Sequence, residues 1–263
     1  MALPRVTLGR TGIQVSALCI GTGTNGWGGR SSQTALGRKG LPDLLEYAFQ
    51  AGITFWDSAD QYGSHPHVRD GLQRVGREHV VITTKTRART AADCRTDLDR
   101  FRRELDVDCI DIVLMHCLFD PEWPAQYAPV MDVLSEAKQS GKVRAVGVSC
   151  HNFGAFQRAA DEPWVDVVLA RLNYGNVNMD ASWPEVVEVL HQMREGGMGV
   201  YGMKVLGAGK LTQDPERAVR FVFEQRAVDA ITIGMRSRAE VDENCTLVRR
   251  ALTELPAELV GTL

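Results

Sequence analysis

Four polar residues of different chemical types, Asp57, Tyr62, Lys85 and His116, lie in or just after apolar runs that are typical of β-strands. Strands this apolar are usually buried on both faces, as in a parallel sheet. An ionisable side chain at the end of a buried strand is unfavourable unless a partner satisfies it. Several strands that end in different ionisable groups therefore indicate a shared site at the carboxyl ends of a barrel. The runs that carry these residues are 54–57, 80–85 and 110–116.

Segments typical of strands and of helices alternate along the whole chain. This alternation predicts a parallel sheet covered by helices, and a chain of 263 residues fits one (β/α)8 TIM barrel, for which about 250 residues is typical. Turn residues between 6–8 and 13–15 predict a short N-terminal β-hairpin. With no low-complexity linker in the sequence, we expect a single domain over residues 1–263. The predicted barrel strands are 17–20, 54–57, 80–85, 110–116, 145–149, 165–172, 200–203 and 230–233, and the predicted helices are 42–50, 90–105, 124–140, 154–160, 183–195, 215–225 and 238–252.

An open doubly wound sheet is the main alternative fold. It needs a Gly-x-Gly-x-x-Gly turn that opens a helix directly after its first strand. Gly21, Gly23 and Gly26 match this spacing, but Trp27 and two further glycines follow, and they do not predict a helix. We therefore interpret residues 21–29 as a loop over the end of the barrel.

The overall charge and hydropathy exclude several classes of partner. A net charge of −3 and a pI near 6.1 give no reason to expect nucleic acid or an anionic membrane. No stretch approaches the roughly 20 apolar residues that cross a bilayer. The N-terminus lacks the apolar core of a secretory signal, so we expect a cytoplasmic protein. The six cysteines contain no close-spaced metal or redox pair, we expect no metal site, and the sequence leaves the oligomeric state open.

The segment from Asp57 to Gly63, Asp-Ser-Ala-Asp-Gln-Tyr-Gly, resembles the Asp-Thr-Ala-x-x-Tyr-Gly segment of the aldo-keto reductase superfamily. Lys85 and His116, at the ends of the third and fourth predicted strands, match the other two members of that family's catalytic tetrad. The resemblance implies a TIM barrel that reduces an aldehyde or ketone to an alcohol, or the reverse, with a nicotinamide cofactor. Further similar segments, spread over nearly the whole chain, are 8–12, 141–149, 206–209 and 243–244.

The residue types of the tetrad suit the chemistry that the resemblance implies. Reduction of a carbonyl by hydride needs a proton for the developing alkoxide, and a free tyrosine with a pKa of about 10 is a poor match for neutral pH. We expect Lys85 to stabilise the phenolate of Tyr62 and Asp57 to hold Lys85. His116 would hydrogen-bond the substrate oxygen. Tyr62 is then the general acid in reduction and the general base in oxidation.

The same resemblance implies that residues after the fifth, sixth and seventh strands hold the nicotinamide. Ser149 is retained, whereas Cys150 replaces an asparagine and Arg171 stands at a glutamine position. An arginine can donate to the carboxamide oxygen but cannot accept from its nitrogen, and pairing of Arg171 with a carboxylate is the alternative. Met203 stands where a tyrosine normally stacks on the ring, and it either covers the ring or packs in the core.

The phosphates of the cofactor are expected at the ends of the last two strands. Lys204, Leu206 and Gly209 are candidates for the pyrophosphate, with a solvated lysine as the alternative for Lys204. Gly234 begins the loop after the eighth strand, where the amides at a helix start favour anions.

The adenosine end of the cofactor is expected beside the last helix. Arg236 or Arg238 would bind a 2′-phosphate through a bidentate contact, and Glu243 and Asn244 would contact the adenine. Glu240 places a carboxylate where it would repel a 2′-phosphate. We expect NADP as the cofactor, with NAD as the alternative.

The substrate is expected to be a small carbonyl compound or a sugar. Trp27 and Phe119 are predicted to line an apolar pocket for it, and because the chain ends soon after the last predicted helix we expect that pocket to be open. Two other functions are the alternatives. One is a non-catalytic regulatory protein that keeps the cofactor on the same fold, and the other is a Schiff-base aldolase that uses Lys85.

Overall fold

The computed structural model of the chain describes residues 3–254. Its strands are β1 (Arg5–Thr7), β2 (Gln14–Ser16), β3 (Leu18–Gly21), β4 (Phe55–Asp57), β5 (Val81–Thr86), β6 (Ile110–Leu118), β7 (Val143–Cys150), β8 (Val167–Arg171), β9 (Gly199–Met203) and β10 (Ala230–Gly234). Strands β3 to β10 form a closed barrel in which every pair of neighbours is parallel, and β1 pairs with β2 as an antiparallel hairpin. The predicted (β/α)8 TIM barrel with a short N-terminal hairpin is confirmed.

Helices cover the outside of the barrel between consecutive strands. They are α1 (Gly37–Gln50), α2 (His65–Val75), α3 (Ala91–Leu105), α4 (Trp123–Gln126), α5 (Ala128–Gln139), α6 (Phe153–Ala160), α7 (Trp183–Glu195), α8 (Pro215–Glu224) and α9 (Arg238–Thr253). The barrel strands are almost entirely buried, because their inner faces fill the barrel and their outer faces meet these helices.

Three helices differ from the sequence-based prediction. Helix α2 was not predicted, because Pro66 and Gly71 lie within a short polar segment, although Val68, Leu72 and Val75 in it have helical spacing. The segment predicted as one helix over 124–140 is divided at Tyr127 into α4 and α5. Helix α1 begins at Gly37, five residues before the predicted start, and its boundary was therefore wrong.

The N-terminal hairpin closes one end of the barrel. Leu8 and Ile13 are buried, and the turn between them lies against the start of β9, where the Arg10 amide donates to the Gly197 carbonyl at 2.7 Å. Gly9 has a positive φ, and a side chain there would come within 2.4 Å of the Gly197 and Gly199 backbone. Only the opposite end, where the carboxyl ends of all eight strands meet, is left to receive a ligand. We call that end the barrel mouth.

Candidate active site

The four tetrad residues come together at the barrel mouth. Strands β4, β5 and β6 are neighbours in the barrel, so that Asp57, Lys85 and His116 project from adjacent positions. Tyr62 follows in a 3-10 turn, Asp60–Tyr62, directly after β4. The Lys85 ammonium lies 5.0 Å from the centre of the Tyr62 ring, and the rings of Tyr62 and His116 meet edge to face at 6.0 Å.

A buried hydrogen-bond network fixes the lysine. Lys85 Nζ donates to Asp57 Oδ1 at 2.6 Å and to the carbonyl of Ser58 at 2.8 Å. The second carboxylate oxygen of Asp57 accepts from the hydroxyl of Tyr201 at 2.8 Å. Lys85 and Tyr201 are fully buried and Asp57 is only 4% exposed. Each charge in this network therefore has polar partners, which a buried ion pair needs to be stable.

Tyr201 was missed from the sequence as a member of the site. It lies on β9, across the barrel from β4 and β5, two residues before Met203. Alternate residues of a strand face the same side, so a polar residue two positions before the end of a barrel strand was the available signal. Its hydroxyl has a pKa well above the ordinary value because of burial and the neighbouring Asp57 charge, and it remains a hydrogen-bond donor.

Burial and neighbouring charge shift the pKa of Lys85, and likewise that of Tyr62, in opposite directions. Burial would lower the pKa of Lys85, but Asp57, through its charge and hydrogen bond, acts together with Tyr62 and Cys19 to raise the pKa, so the side chain is an ammonium at neutral pH. Burial raises the pKa of Tyr62, while the positive charge of Lys85 acts to lower it. Lys85 thus acts in the expected direction without bringing the pKa of Tyr62 below its ordinary value.

His116 is held in its neutral form. Burial lowers its pKa well below the ordinary value, and the charge of Lys85 adds to the effect. Its Nδ1 is buried with no hydrogen-bond partner among residues 3–254. A neutral imidazole can donate one hydrogen bond to a substrate oxygen without competing with Tyr62 for the role of proton donor.

The glycine-rich loop after β3 packs on the face of Tyr62. A side chain at Gly23 would come within 2.1 Å of the Tyr62 ring, and one at Gly26 within 2.3 Å. The loop is also joined to the tyrosine's turn through the Gly29 amide, which donates to the Gln61 carbonyl at 3.0 Å. The absence of side chains at these two glycines makes room for the Tyr62 ring. No helix starts within residues 21–29, so the predicted loop over the mouth is confirmed.

The residues expected around the nicotinamide are only partly assembled. Ser149 is buried, and its hydroxyl accepts from the Cys117 amide at 3.3 Å. Cys150 is also buried, but its thiol lies against the Ala155 carbonyl at 3.5 Å, on the helix side of β7. Asn152 caps helix α6 by accepting from the Ala155 amide. Neither Cys150 nor Asn152 therefore takes the place of the family's asparagine at the mouth.

Arg171 pairs with a carboxylate, which was the alternative that the sequence left open for this residue. Its Nη1 lies 3.0 Å from Asp180 Oδ1, and both side chains are mostly buried. Its Nε is buried and has no acceptor within the described part of the chain, so one donor is still free for a ligand. Met203 is half-buried and packs against the core, leaving part of its side chain exposed beside Arg171.

Lys204 and the loop that follows it have an unusual backbone. Lys204 has a φ of +61°, and Gly209 a φ of +95°. The ammonium of Lys204 is partly buried and has no acceptor among residues 3–254, and burial together with the Arg171 charge lowers its pKa. Leu206 is partly buried against the core. An unpaired cation beside a turn of this kind fits an anionic ligand.

The loop between β10 and α9 is occupied by its own side chains. The Arg236 amide donates to Glu240 Oε2 at 2.7 Å, and the Ser237 hydroxyl accepts from the Glu240 amide at 3.2 Å. The Glu240 carboxylate thus takes the place of an anion at the start of α9. A side chain at Gly234 would come within 2.0 Å of Thr24 Oγ1, so this strand end lies directly against the loop after β3.

The other residues predicted for the adenosine end are separated. The Arg238 guanidinium stacks on the ring of Tyr47 at 4.8 Å, on the outer side of α9. Glu243 is exposed. Asn244 is buried, and its Nδ2 donates to the Glu240 carbonyl at 2.7 Å, while its Oδ1 has no partner among residues 3–254. The free amide oxygen of Asn244 is the feature here that fits an adenine amino group.

Trp27 and Phe119 stand at the rim of the barrel mouth. They are 63% and 59% exposed, so any pocket that they line is open, and their role in binding substrate stays a prediction. The Trp27 ring stacks with the Arg87 guanidinium at 4.9 Å, and Phe119 packs edge to face on His151 at 5.6 Å. Both rings are therefore available at the entrance, on either side of the tetrad.

Two features of the structure define the class of barrel protein to which this chain belongs. One is the closed parallel barrel with its N-terminal hairpin, and the other is the Asp-Tyr-Lys-His group at the barrel mouth. The model of the aldo/keto reductase family matches residues 17–218. The chain belongs to this family, whose members named below are reductases and dehydrogenases.

Individual relatives agree with this assignment. An aldo-keto reductase of Strobilurus tenacellus is 30% identical over 178 residues, which are 64% of this chain and 51% of the relative. L-galactose dehydrogenase of Arabidopsis thaliana is 25% identical over 294 aligned positions, 94% of this chain and 88% of the relative. A solved structure from Pseudomonas aeruginosa, assigned provisionally as an aldo-keto reductase, has a TM-score of 0.80 at 26% identity and covers 94% of this chain and 95% of its own. Against several other curated relatives the match spans only 44–64% of their length.

No helix within residues 3–254 is long and apolar enough to cross a membrane. The same range contains no group of three or more histidine, cysteine or carboxylate side chains arranged to hold a metal ion.

Proposed function

We propose that this protein is an oxidoreductase that interconverts an aldehyde or ketone and its alcohol with a nicotinamide cofactor, and that Tyr62 is its general acid and base. One observation carries the proposal: the Lys85 ammonium is held 2.6 Å from Asp57 and 5.0 Å from the Tyr62 ring, with neutral His116 beside them. A lysine, a phenol and an imidazole in this order can deliver a proton to an oxygen that is bound between Tyr62 and His116.

The proton route uses each residue in one role. His116 donates a hydrogen bond to the substrate oxygen and fixes its position over Tyr62. Tyr62 gives its proton as negative charge develops on that oxygen, and the Lys85 charge stabilises the phenolate that is left. Asp57 keeps Lys85 protonated, and Tyr201 holds the other oxygen of Asp57. In oxidation the same groups act in reverse, with the tyrosinate taking the proton of the alcohol.

Several residues of this chain fit a nicotinamide dinucleotide. The cofactor supplies the hydride when it is bound. Arg171 has a free buried Nε for a carboxamide oxygen, Lys204 has an unpaired ammonium for a phosphate, and Asn244 has an unpaired amide oxygen for an adenine amino group. Ser149, Met203, Leu206, Gly209 and Gly234 are proposed to complete the cradle, as the family resemblance implies.

The choice between NADP and NAD depends on Glu240. A 2′-phosphate bound by Arg236 would approach the loop amide that the Glu240 carboxylate already occupies. Two anions in one place repel each other, and the repulsion is weakened but not removed by solvent. The expectation of NADP stays a prediction, and this contact weighs against it.

The two alternative functions are less well supported. A Schiff-base aldolase needs a lysine that is neutral for part of the time, whereas Asp57 keeps Lys85 protonated and the side chain is fully buried. A purely regulatory cofactor-binding protein would not need the Tyr62, Lys85 and Asp57 network, although the altered contacts at Cys150 and Arg171 agree with it.

The test compares the wild-type protein with Tyr62→Phe. Titration of NADPH and of NADH, followed by intrinsic tryptophan fluorescence, should reveal binding of at least one to both proteins. The wild-type protein should reduce benzaldehyde, and Tyr62→Phe should lower kcat by about 100-fold or more, since acid catalysis contributes about 10²–10⁴. If neither cofactor binds, or if Tyr62→Phe keeps its activity, the proposal is wrong.

A further inference from the structure

Arg87 lies at the barrel mouth, directly after the strand that carries the catalytic lysine. Side chains alternate along β5: Thr84 Oγ1 contacts His65 of α2 at 2.7 Å, and Thr86 Oγ1 contacts Asp97 of α3 at 2.5 Å, so both point out of the barrel and Lys85 points inward. The strand ends at Thr86, and the next residue is Arg87. Its guanidinium reaches across the mouth to the Trp27 ring, in the loop that packs on Tyr62.

The guanidinium of Arg87 has no anionic partner. Within residues 3–254 it makes no hydrogen bond or ion pair, and it stacks on the Trp27 ring at 4.9 Å. By contrast, Arg89 donates to the His116 carbonyl at 3.2 Å, and Arg171 is paired with Asp180. Stacking uses the face of the guanidinium and leaves the N–H groups along its edge free to bind.

The charge of Arg87 acts on the histidines of the barrel mouth. After burial, it is among the positive charges that lower the pKa values of His116 and of His151. The carboxylates of Asp57 and Asp180 at the mouth are each already paired with a cation. The mouth therefore has positive charge that no side chain of the described chain balances.

The cofactor does not provide the missing anion on this side of the mouth. Strand β5, which leads to Arg87, lies four strands from β9, which leads to Lys204, in the closed barrel of eight. The two cations are therefore on opposite walls. Lys204 lies on the wall assigned to the pyrophosphate, whereas Arg87 lies on the wall that carries Tyr62 and Trp27.

We infer that Arg87 binds an anionic group of the substrate, so that the natural substrate is a carbonyl compound that carries a carboxylate or a phosphate. This inference rests on the proposed reductase function. A guanidinium edge matches the two oxygens of either anion in a bidentate contact, and the Trp27 ring covers one face of the guanidinium and holds it in place. The carbonyl of such a substrate would reach Tyr62 while its anion stays at the rim.

The test uses aldehydes that differ only in charge. The pairs are 4-carboxybenzaldehyde with benzaldehyde, and glyceraldehyde 3-phosphate with glyceraldehyde. In the wild-type protein we expect kcat/KM to be at least about tenfold higher for the anionic member of one pair, since a charged hydrogen bond contributes about 1.5–3 kcal/mol. Arg87→Gln should lower the ratio of anionic to neutral kcat/KM about 10- to 100-fold for the same reason. The pair with the larger loss identifies which anion Arg87 binds.

A matched control removes the same charge elsewhere. Arg95 lies on the outer side of α3, paired with Glu136 at 3.1 Å and 55% exposed, and Arg95→Gln should leave the ratio unchanged. Equal ratios in wild type and Arg87→Gln would overturn the inference. A rise in the KM of the cofactor that is the same for both aldehydes would also overturn it, because Arg87 would then belong to the cofactor site. If the wild-type protein reduces none of the four aldehydes with either cofactor, the proposed function itself fails.

Discussion

Replacing Tyr201 with phenylalanine removes a buried hydroxyl from the barrel interior and keeps the aromatic ring. The hydroxyl of Tyr201 donates to Asp57 Oδ2 at 2.8 Å, and the ring packs on Phe55 at a centre-to-centre distance of 5.1 Å. Tyr201→Phe keeps that ring contact. It leaves one oxygen of a carboxylate that is 4% exposed without its donor.

The expected loss of stability follows from that geometry. A hydrogen bond to a charged group contributes about 1.5–3 kcal/mol. For a protein of this size about 1 kcal/mol lowers the Tm by roughly 2–4 °C, so Tyr201→Phe should lower the Tm by roughly 3–12 °C. Tyr47→Phe is a matched control, because the Tyr47 hydroxyl also donates to a carboxylate, that of Asp242 at 2.9 Å, but at the surface. Its effect should be about 0.5 kcal/mol or less.

The same variant should change the pH dependence of catalysis. After burial, the charge of Asp57 raises the pKa of Tyr62. Without the hydroxyl of Tyr201 that charge is less well neutralised, so the pKa of Tyr62 should rise further. Alcohol oxidation needs the tyrosinate, and its rate should therefore reach its plateau at a higher pH, by about 0.7 units for about 1 kcal/mol.

Thermal unfolding and the pH profile of alcohol oxidation test the two parts separately. The reasoning is refuted if Tyr201→Phe and Tyr47→Phe give the same small change in Tm. It is refuted in its second part if the pH profile of Tyr201→Phe coincides with that of the wild-type protein.

Three further predictions concern the rest of the site. Gly23→Ala should lower kcat by about tenfold or more, because its methyl group would lie 2.1 Å from the Tyr62 ring and displace it. Gly40→Ala in helix α1 is the control and should be active. Equal activity of both variants would contradict this prediction. Glu240→Gln should raise the ratio of kcat/KM for NADPH to that for NADH about tenfold, or about 1.4 kcal/mol, and an unchanged ratio would remove Glu240 from cofactor choice. Burial lowers the pKa of His151 to about 4, so the unfolded chain takes up a proton below pH 6.5 that the native protein refuses. Stability should therefore fall between pH 7 and pH 5, by about 1 kcal/mol for this partly exposed residue, and urea unfolding of His151→Asn should show a smaller loss; an identical loss would contradict the assignment.

The sequence predicts the barrel and the tetrad because both depend on local patterns. Apolar runs end in Asp57, Lys85 and His116, and the ends of parallel strands meet wherever the helices lie. Helix α2 was missed although Val68, Leu72 and Val75 have helical spacing, because Pro66 and Gly71 are typical of turns and Gly71 is used here for packing. Gly71 permits that packing, since a side chain there would come within 3.2 Å of Trp56 and Leu45.

The cofactor residues were harder to predict for another physical reason. Arg171 and Arg236 are suitable donors by residue type. However, Asp180 already pairs with the Arg171 side chain, and Glu240 already accepts from the Arg236 backbone amide. Such competition depends on which side chains fold back on their own loop. The sequence order does not reveal it, although Glu240, four residues after Arg236, raised the possibility of repulsion.

The contact between Tyr201 and Asp57 joins the two halves of the barrel sequence. The tetrad lies wholly within β4 to β6 and the turn after β4, whereas Tyr201 comes from β9. A fragment that ends before β7 would contain every group proposed to transfer the proton, but its buried carboxylate would lack the donor from the other half. If such half-barrels were expressed separately, proton transfer would be expected only after they associate, so recovery of turnover would report on reassembly of the closed barrel. For the same reason, if the site evolved from an active half-barrel, that ancestor needed another donor to Asp57 in place of Tyr201.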